Sequence, residues 1–168
     1  MSVMAFKKTT DLVQDPKTVA LVDEVAALGS VESSHIGVAG SPSAKFARYE
    51  VLRKALSEDQ LLSLLLHESP IVRGYVAQDV IHRLPTKALA AYPLLSDTTE
   101  IGHLEGCIGG RTTLSAMVES GYRYGSIDLL RTVAEKAKND PSLKKGLAQT
   151  FQDQLATRLR EESQQKQK

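Results

Sequence analysis

Tryptophan is absent from this 168-residue chain, and phenylalanine and tyrosine together supply only 5% of it. A core without large aromatic plates must be filled by Leu, Val, Ile and Ala, which suits closely packed helices. Cysteine is almost missing as well. The single Cys107 excludes an internal disulfide framework and fits a reducing compartment. Neither sign of charge is in excess, since 21 Lys and Arg stand against 20 Asp and Glu. That argues against a dedicated binder of nucleic acid or of acidic membranes, which needs a basic surplus to neutralise phosphates. No apolar run approaches the roughly 20 residues that cross a bilayer. At the N-terminus, residues Met1 to Lys8 place their lysines after a short apolar group and do not read as a secretion signal. The expected location is the cytoplasm, with no membrane partner.

What is present is an ordinary globular composition, 42% hydrophobic and 24% charged, in a length that makes one domain with a real core. The expected division is an N-terminal segment at 1–15, a single helical-repeat domain at 16–160 and a polar tail at 161–168 that frays. Asp15-Pro16 opens a helix through Val19, Val22 and Val25, and Gly29 closes it. Residues 30–40 carry glycines and serines without periodicity and read as a loop. Ser41-Pro42 then opens a helix through Phe46, Tyr49, Leu52 and Leu56. From Ser57 to Leu84 two helices follow, joined by almost nothing, the second starting at Ser69-Pro70. Ser-Pro opens a helix well, because the serine oxygen accepts a free amide proton and proline at the first position loses no hydrogen bond.

Ser41-Pro42 lies 28 residues before Ser69-Pro70, and at that offset Leu52 falls on Val80 and Leu56 on Leu84. At an offset of 29, Leu65-Leu66 falls on Leu94-Leu95 and Val72 on Ile101. A period near 30 is that of stacked helical repeats. The third unit degrades where Gly102, Gly106, Gly109 and Gly110 crowd its second helix, which is expected to end near Ile108 with Gly109-Gly110 as its stop. Thr112 or Thr113 caps a short helix from Leu114 to Ser120, stopped by Gly121. Ser126 opens an amphipathic helix through Leu130 and Val133. Asn139-Asp140-Pro141 opens the last helix, with a slanted ridge of Leu143, Leu147, Phe151, Leu155 and Leu159. No stretch alternates as a strand does, so the expected fold class is all-α, a short superhelical stack of about eight helices.

The run from Leu61 to Ala77 resembles a HEAT or HEAT-like repeat, whose mark is a short inter-helix turn followed by Val-Arg. Ser69, Pro70, Val72 and Arg73 carry that pattern, with weaker echoes at 41–56 and 88–108. The resemblance implies a right-handed stack whose second helices line one face, and a structural role for Arg73 in bracing the turn. Members of this group are mostly protein-binding scaffolds. Some act on alkylated DNA or bilin pigments, and others bind toxins.

Chemistry-bearing constellations are few. His103 and Cys107 stand four apart, on one face if their segment is helical, and Glu100 would add a third metal ligand. No paired Cys-x-x-Cys or His-Glu-x-x-His accompanies them, so no metal is expected. His67, His82 and His103 form no motif, and the glycines near 106–110 lack the Lys-Ser/Thr of a phosphate loop. No Gly-x-Ser-x-Gly nucleophile occurs, so no catalytic residue and no cofactor is expected. Basic residues concentrate on the two Ser-Pro helices, including Lys45, Arg48, Arg53 and Arg83. With Asp79 and His82 these make the candidate partner-binding set. The expected function is a non-enzymatic, bacterial-type protein-binding module, with a toxin-neutralising immunity protein as one form within that class. The alternative is a HEAT-like nucleic-acid binder or DNA-base-acting protein using a locally basic inner face.

Overall fold

The computed structural model describes residues 5–166; residues 1–4 of the N-terminal segment, where the signal reading began, and 167–168 of the polar tail lie outside them. A short helix α1 (Thr9–Leu12) leads into α2 (Pro16–Ala26), then strands β1 (Ser30–Ile36) and β2 (Ser41–Pro42). Helices α3 (Ala44–Ala55), α4 (Glu58–Ser63) and α5 (Pro70–Arg83) follow, with a 3₁₀ turn at Leu64–Leu66 between the last two. A 3₁₀ segment (Ala88–Ser96) precedes β3 (Glu100–Gly106) and β4 (Ile108–Thr113). The chain closes with α6 (Leu114–Tyr124), α7 (Ile127–Lys138) and α8 (Leu147–Gln165).

The all-α superhelical stack is therefore overturned. A four-stranded mixed sheet in the order β2-β1-β3-β4 makes this an α/β fold. Two hairpins lie side by side, joined by parallel pairing of β1 with β3 through Val31↔His103 and Glu32↔Leu104. The segment at 30–40, expected as a loop, is a strand and a turn closed by Gly37 (φ +75°) and Gly40 (φ +62°). The third helical unit is replaced by the 3₁₀ segment and the β3–β4 hairpin. Its glycines, which weaken a helix, suit a hairpin: Gly106 (φ +54°) makes the turn, and Gly109 leaves room for Leu104, whose Cδ1 would be 2.8 Å from a Cβ there. Gly109-Gly110 lies within β4 and stops no helix.

The strands lack the usual alternation for a physical reason. The sheet turns Val31, Ser33, His103, Glu105 and Thr112 toward the helices, and most of these are polar because they face an open cleft. The opposite face carries Leu104 among glycines and serines. Neither face shows the apolar-in, polar-out rhythm that marks a half-buried strand.

Ser41-Pro42 also changes role. It pairs with β1 at His35↔Pro42 and Ile36↔Ser41, while Ser43 caps α3 by accepting the Phe46 amide at 3.0 Å. The upstream echo of Ser69-Pro70 is therefore a strand end. The helix pair at 57–84 does form. Ser57 and Gln60 make a reciprocal capping box on α4, and Ser69 caps α5.

Helix α5 is the centre of the core, with Ile71–Ala77 and Asp79–Ile81 all buried. It packs against α2, α6, the 88–96 segment and the two central strands. Gly74 allows it to lie on the sheet, since a Cβ there would meet Val31 Cγ2 at 2.8 Å. Gly121 does not end α6 but sits where that helix crosses Ile81 of α5. The last helix starts at Gly146 (φ +89°), later than Asp140-Pro141, with Leu147 and Phe151 buried, and it runs past 161 to Gln165. Among the described residues no helix is long and apolar enough to cross a membrane.

Candidate functional site

The sheet, α3, α5 and α6 enclose an open cleft of about 600 Å³. Its placement follows from the two glycine contacts above, which draw α5 onto the sheet and α6 onto α5, while α3 packs against β1 on the other side. Val31, Tyr75 and Met117 form an apolar floor, and Phe46 with Tyr49 forms one wall. His82, Arg83, His103, Glu105 and Tyr124 surround the mouth. The chain has five tyrosines and three phenylalanines, and four of these eight line this one cleft, as do two of its four histidines.

The wall is rigid. Tyr49 and Tyr75 stack with ring centroids 4.9 Å apart and planes 12° from parallel. The Tyr75 hydroxyl accepts the Glu32 amide at 3.0 Å, and burial pushes its pKa up to about 12. Tyr49 donates to Asp79 at 2.9 Å, and burial together with the Asp79 charge raises its pKa strongly.

Asp79 is the hub of the charged end, its side chain only 2% exposed. Its Oδ2 accepts from Tyr49 and from Arg53 Nε at 2.5 Å. Its Oδ1 is buried with no hydrogen-bond donor among the described residues, and Arg83 Nε stands 3.3 Å away, within ion-pair range but not aligned. Arg83 also reaches Glu50 at 2.6 Å.

At the mouth, His103 Nε2 lies 3.8 Å from Glu105 Oε2. His82 Nε2 meets Gln78 Oε1 at 3.1 Å, while Gln78 Nε2 donates to the Met117 carbonyl at 3.1 Å. Because that amide nitrogen is already donating, Gln78 Oε1 must accept, so neutral His82 carries its proton on Nε2. Burial lowers the His82 pKa, and the nearby Glu105 charge works the other way without cancelling it.

The six residues expected to bind a partner are thus divided. Arg53, Asp79 and Arg83 come together in one network, and His82 stands at the mouth of the same cleft. Lys45 lies behind the lining, 3.3 Å from Glu32, and Arg48 is turned away onto Glu24 at 3.2 Å. Burial by itself would raise the Glu32 carboxyl, yet Ser43, Lys45 and Ser30 outweigh it and hold it below the usual range. The residues of the turn are scaffold. Val72 is fully buried in the core, and the Arg73 guanidinium donates to the carbonyls of His67 (2.6 Å) and Glu68 (2.9 Å).

The helical face proposed for His103 and Cys107 is corrected, since His103 is in β3 and Cys107 is exposed at the hairpin tip. Glu100 is engaged by Arg111 at 2.9 Å, and no group of three potential metal ligands occurs among the described residues. His67 does not approach the other histidines but lies buried near the start of α5, against Thr9 Oγ1 at 2.9 Å.

Sequence reasoning missed Tyr75, Gln78, His103, Glu105, Met117 and Tyr124 as neighbours in one cleft. The available signal was His103 and Glu105 two apart, which places both on one face of a strand. No protein-family model matches the chain, and no curated protein matches it.

Proposed function

We propose that the protein is a non-enzymatic binding module that recognises another protein through the cleft between the sheet and α3, α5 and α6. The observation that carries this reading is the convergence of half the chain's aromatic residues and half its histidines on one concavity. Its volume lies in the range of about 300–1,000 Å³ typical of sites that enclose a ligand group. Phe46 and Tyr124 are the accessible aromatic side chains among these, backed by Tyr49 and Tyr75, which are buried in the core, and a polar rim fixes orientation.

The basic residues support protein over nucleic acid. Lys45 is paired with Glu32, Arg48 with Glu24, Arg53 with Asp79, and Arg83 with Glu50 and Asp79. A phosphate backbone would have to displace these carboxylates, which removes most of the electrostatic gain of binding. Toxin neutralisation is one form of the reading, in which the cleft takes up a projecting element of the toxin, and a toxin encoded by a flanking gene would identify it. A cytoplasmic setting belongs to the same reading.

The test is affinity capture with the wild-type protein and with Ala116→Trp or Ser120→Trp, which place an indole over the cleft from exposed positions on α6. The expected outcome is a protein partner retained at about 0.3 M salt by the wild type and lost with both variants, whose circular dichroism is unchanged. The same partner held equally by all three would refute the cleft as the recognition site. Retention of DNA or RNA on filters, falling steeply with salt, would instead favour the nucleic-acid reading.

A further inference from the structure

Among the charged side chains that line the cleft, carboxylates outnumber cations. Glu32, Asp79 and Glu105 line it against a single guanidinium, Arg83, and among the described residues no lysine does. Glu32 is neutralised from behind by Lys45, and Asp79 is paired with Arg53 and Arg83. Glu105 is not neutralised in this way. Its side chain is 73% exposed, and its only ion-pair partner among the described residues is His103, which is charged only when protonated.

A second observation points to the same chemistry. Asp79 Oδ1 is buried and lacks a donor, although the side chain lies against the cleft. A buried carboxylate oxygen that has an ion-pair contact but no hydrogen bond is under-satisfied, and an aligned donor recovers part of that cost. Arg83, with its side chain 45% exposed, covers this atom without hydrogen-bonding to it. Its guanidinium carbon stands 5.7 Å over the Phe46 ring while Nη1 reaches Glu50. The chain's own side chain thus displays how a cation sits at this end of the cleft, between carboxylates and over an aromatic face.

We infer that the cleft receives an alkyl guanidinium or ammonium group, the end of an arginine or lysine side chain on the protein partner. The charge is taken up between Glu105 and the Asp79 end, and the apolar stem lies on Tyr75 and Met117. Arg83 is then a built-in competitor that the incoming group displaces. This assignment deepens the proposed function and rests on the cleft being the recognition site.

The competitor role makes the test sensitive to sign. Amide ¹H–¹⁵N spectra of the full chain are titrated with N-acetyl-argininamide, N-acetyl-lysinamide, the uncharged N-acetyl-norleucinamide and inorganic phosphate, each to about 10 mM. The expected result is shifts confined to cleft residues for the two cations and none for the neutral amide or phosphate. Glu105→Gln should weaken cation binding about tenfold, the equivalent of about 1.4 kcal/mol. Arg83→Ala should tighten it, and the spectra themselves report that both variants remain folded.

Equal binding of norleucinamide, binding of phosphate in the cleft, or weaker cation binding by Arg83→Ala would overturn the assignment. Absence of cation shifts in the wild type would overturn it as well. Partner capture that is lost in Ala116→Trp while no cation binds would remove the charge assignment alone. Capture that is unchanged in that variant would remove the cleft reading instead, so the two failures are distinguishable.

Discussion

Helix α5 carries an arginine near each end, and the two have opposite surroundings. Arg73 is 1% exposed and fully engaged. Its Nε and Nη2 reach Asp97 Oδ2 at 3.0 and 2.8 Å, Nη1 reaches two carbonyls, and the Phe6 ring covers the guanidinium at 3.8 Å. Asp97 is completed by the Thr99 amide and hydroxyl on Oδ1. Arg83 is nearly half exposed, and the aspartate it covers keeps an oxygen without a hydrogen bond. Closed networks rigidify a scaffold, whereas a partly satisfied one at a cleft leaves a position for something else. The first arginine holds the turn between α4 and α5, and the second lies at the mouth of the cleft.

Breaking the closed end should have the largest effect. Arg73→Met leaves Asp97 buried and unpaired, and a loss of about 3–5 kcal/mol is expected in urea unfolding. A loss below about 1 kcal/mol would mean that the closed network is not what holds the turn. Asp79→Asn should cost less, about 1–3 kcal/mol by the same measurement, because Arg53 and Arg83 can turn to water once released.

A smaller effect sharpens the closed end by pH. His67 is 2% exposed, with Nδ1 accepting the Ser69 amide at 2.9 Å and Nε2 facing Thr9 Oγ1, which donates to Asp23 at 2.7 Å. Burial keeps its pKa below 6.5, outweighing the Glu68 and Asp23 charges, while Arg73 lowers it further. Between that depressed value and 6.5 the unfolded chain binds a proton that the folded chain refuses. Stability is therefore full above 6.5 and falls as pH drops through this window. In His67→Gln the urea midpoint should flatten against pH, and what slope remains should diminish in His82→Gln, whose pKa is depressed in the same direction. The smallest effect on stability belongs to Glu105→Gln, expected within about 0.5 kcal/mol of wild type while its cation binding falls. A clear destabilisation would make Glu105 part of the scaffold.

The closed region was the legible one. Ser57, Ser69-Pro70 and the apolar run between them announce a helix pair through local rules that need no partner, and the pair is present. The start of α2 at Asp15-Pro16 and of α7 at Ser126 was legible for the same reason, since each cap is a bond within one turn. The open region was not. β1 and β3 pair across about 70 residues of chain, as Val31↔His103 shows, and nothing local to either strand encodes the other. Their cleft-facing residues are mostly polar because they border solvent, so the strands lack the signature of strands. Glycines at 102, 106, 109 and 110 were informative but ambiguous, as the same residues that exclude a helix also serve a hairpin.

By itself the sequence determined the local events: where helices begin, which turn joins α4 to α5, and that a core without tryptophan would be built mainly from aliphatic side chains. Short-range hydrogen bonds and helical spacing decide these things, and both are written within a few residues. Tertiary structure alone decided that 30–36 and 100–113 form a sheet, that Gly74 and Gly121 bring that sheet and two helices around a cleft, and that Asp79 meets it with one oxygen lacking a hydrogen bond. Those outcomes depend on which surfaces remain to be buried once the helices have formed, a property of the assembled chain and of no segment within it.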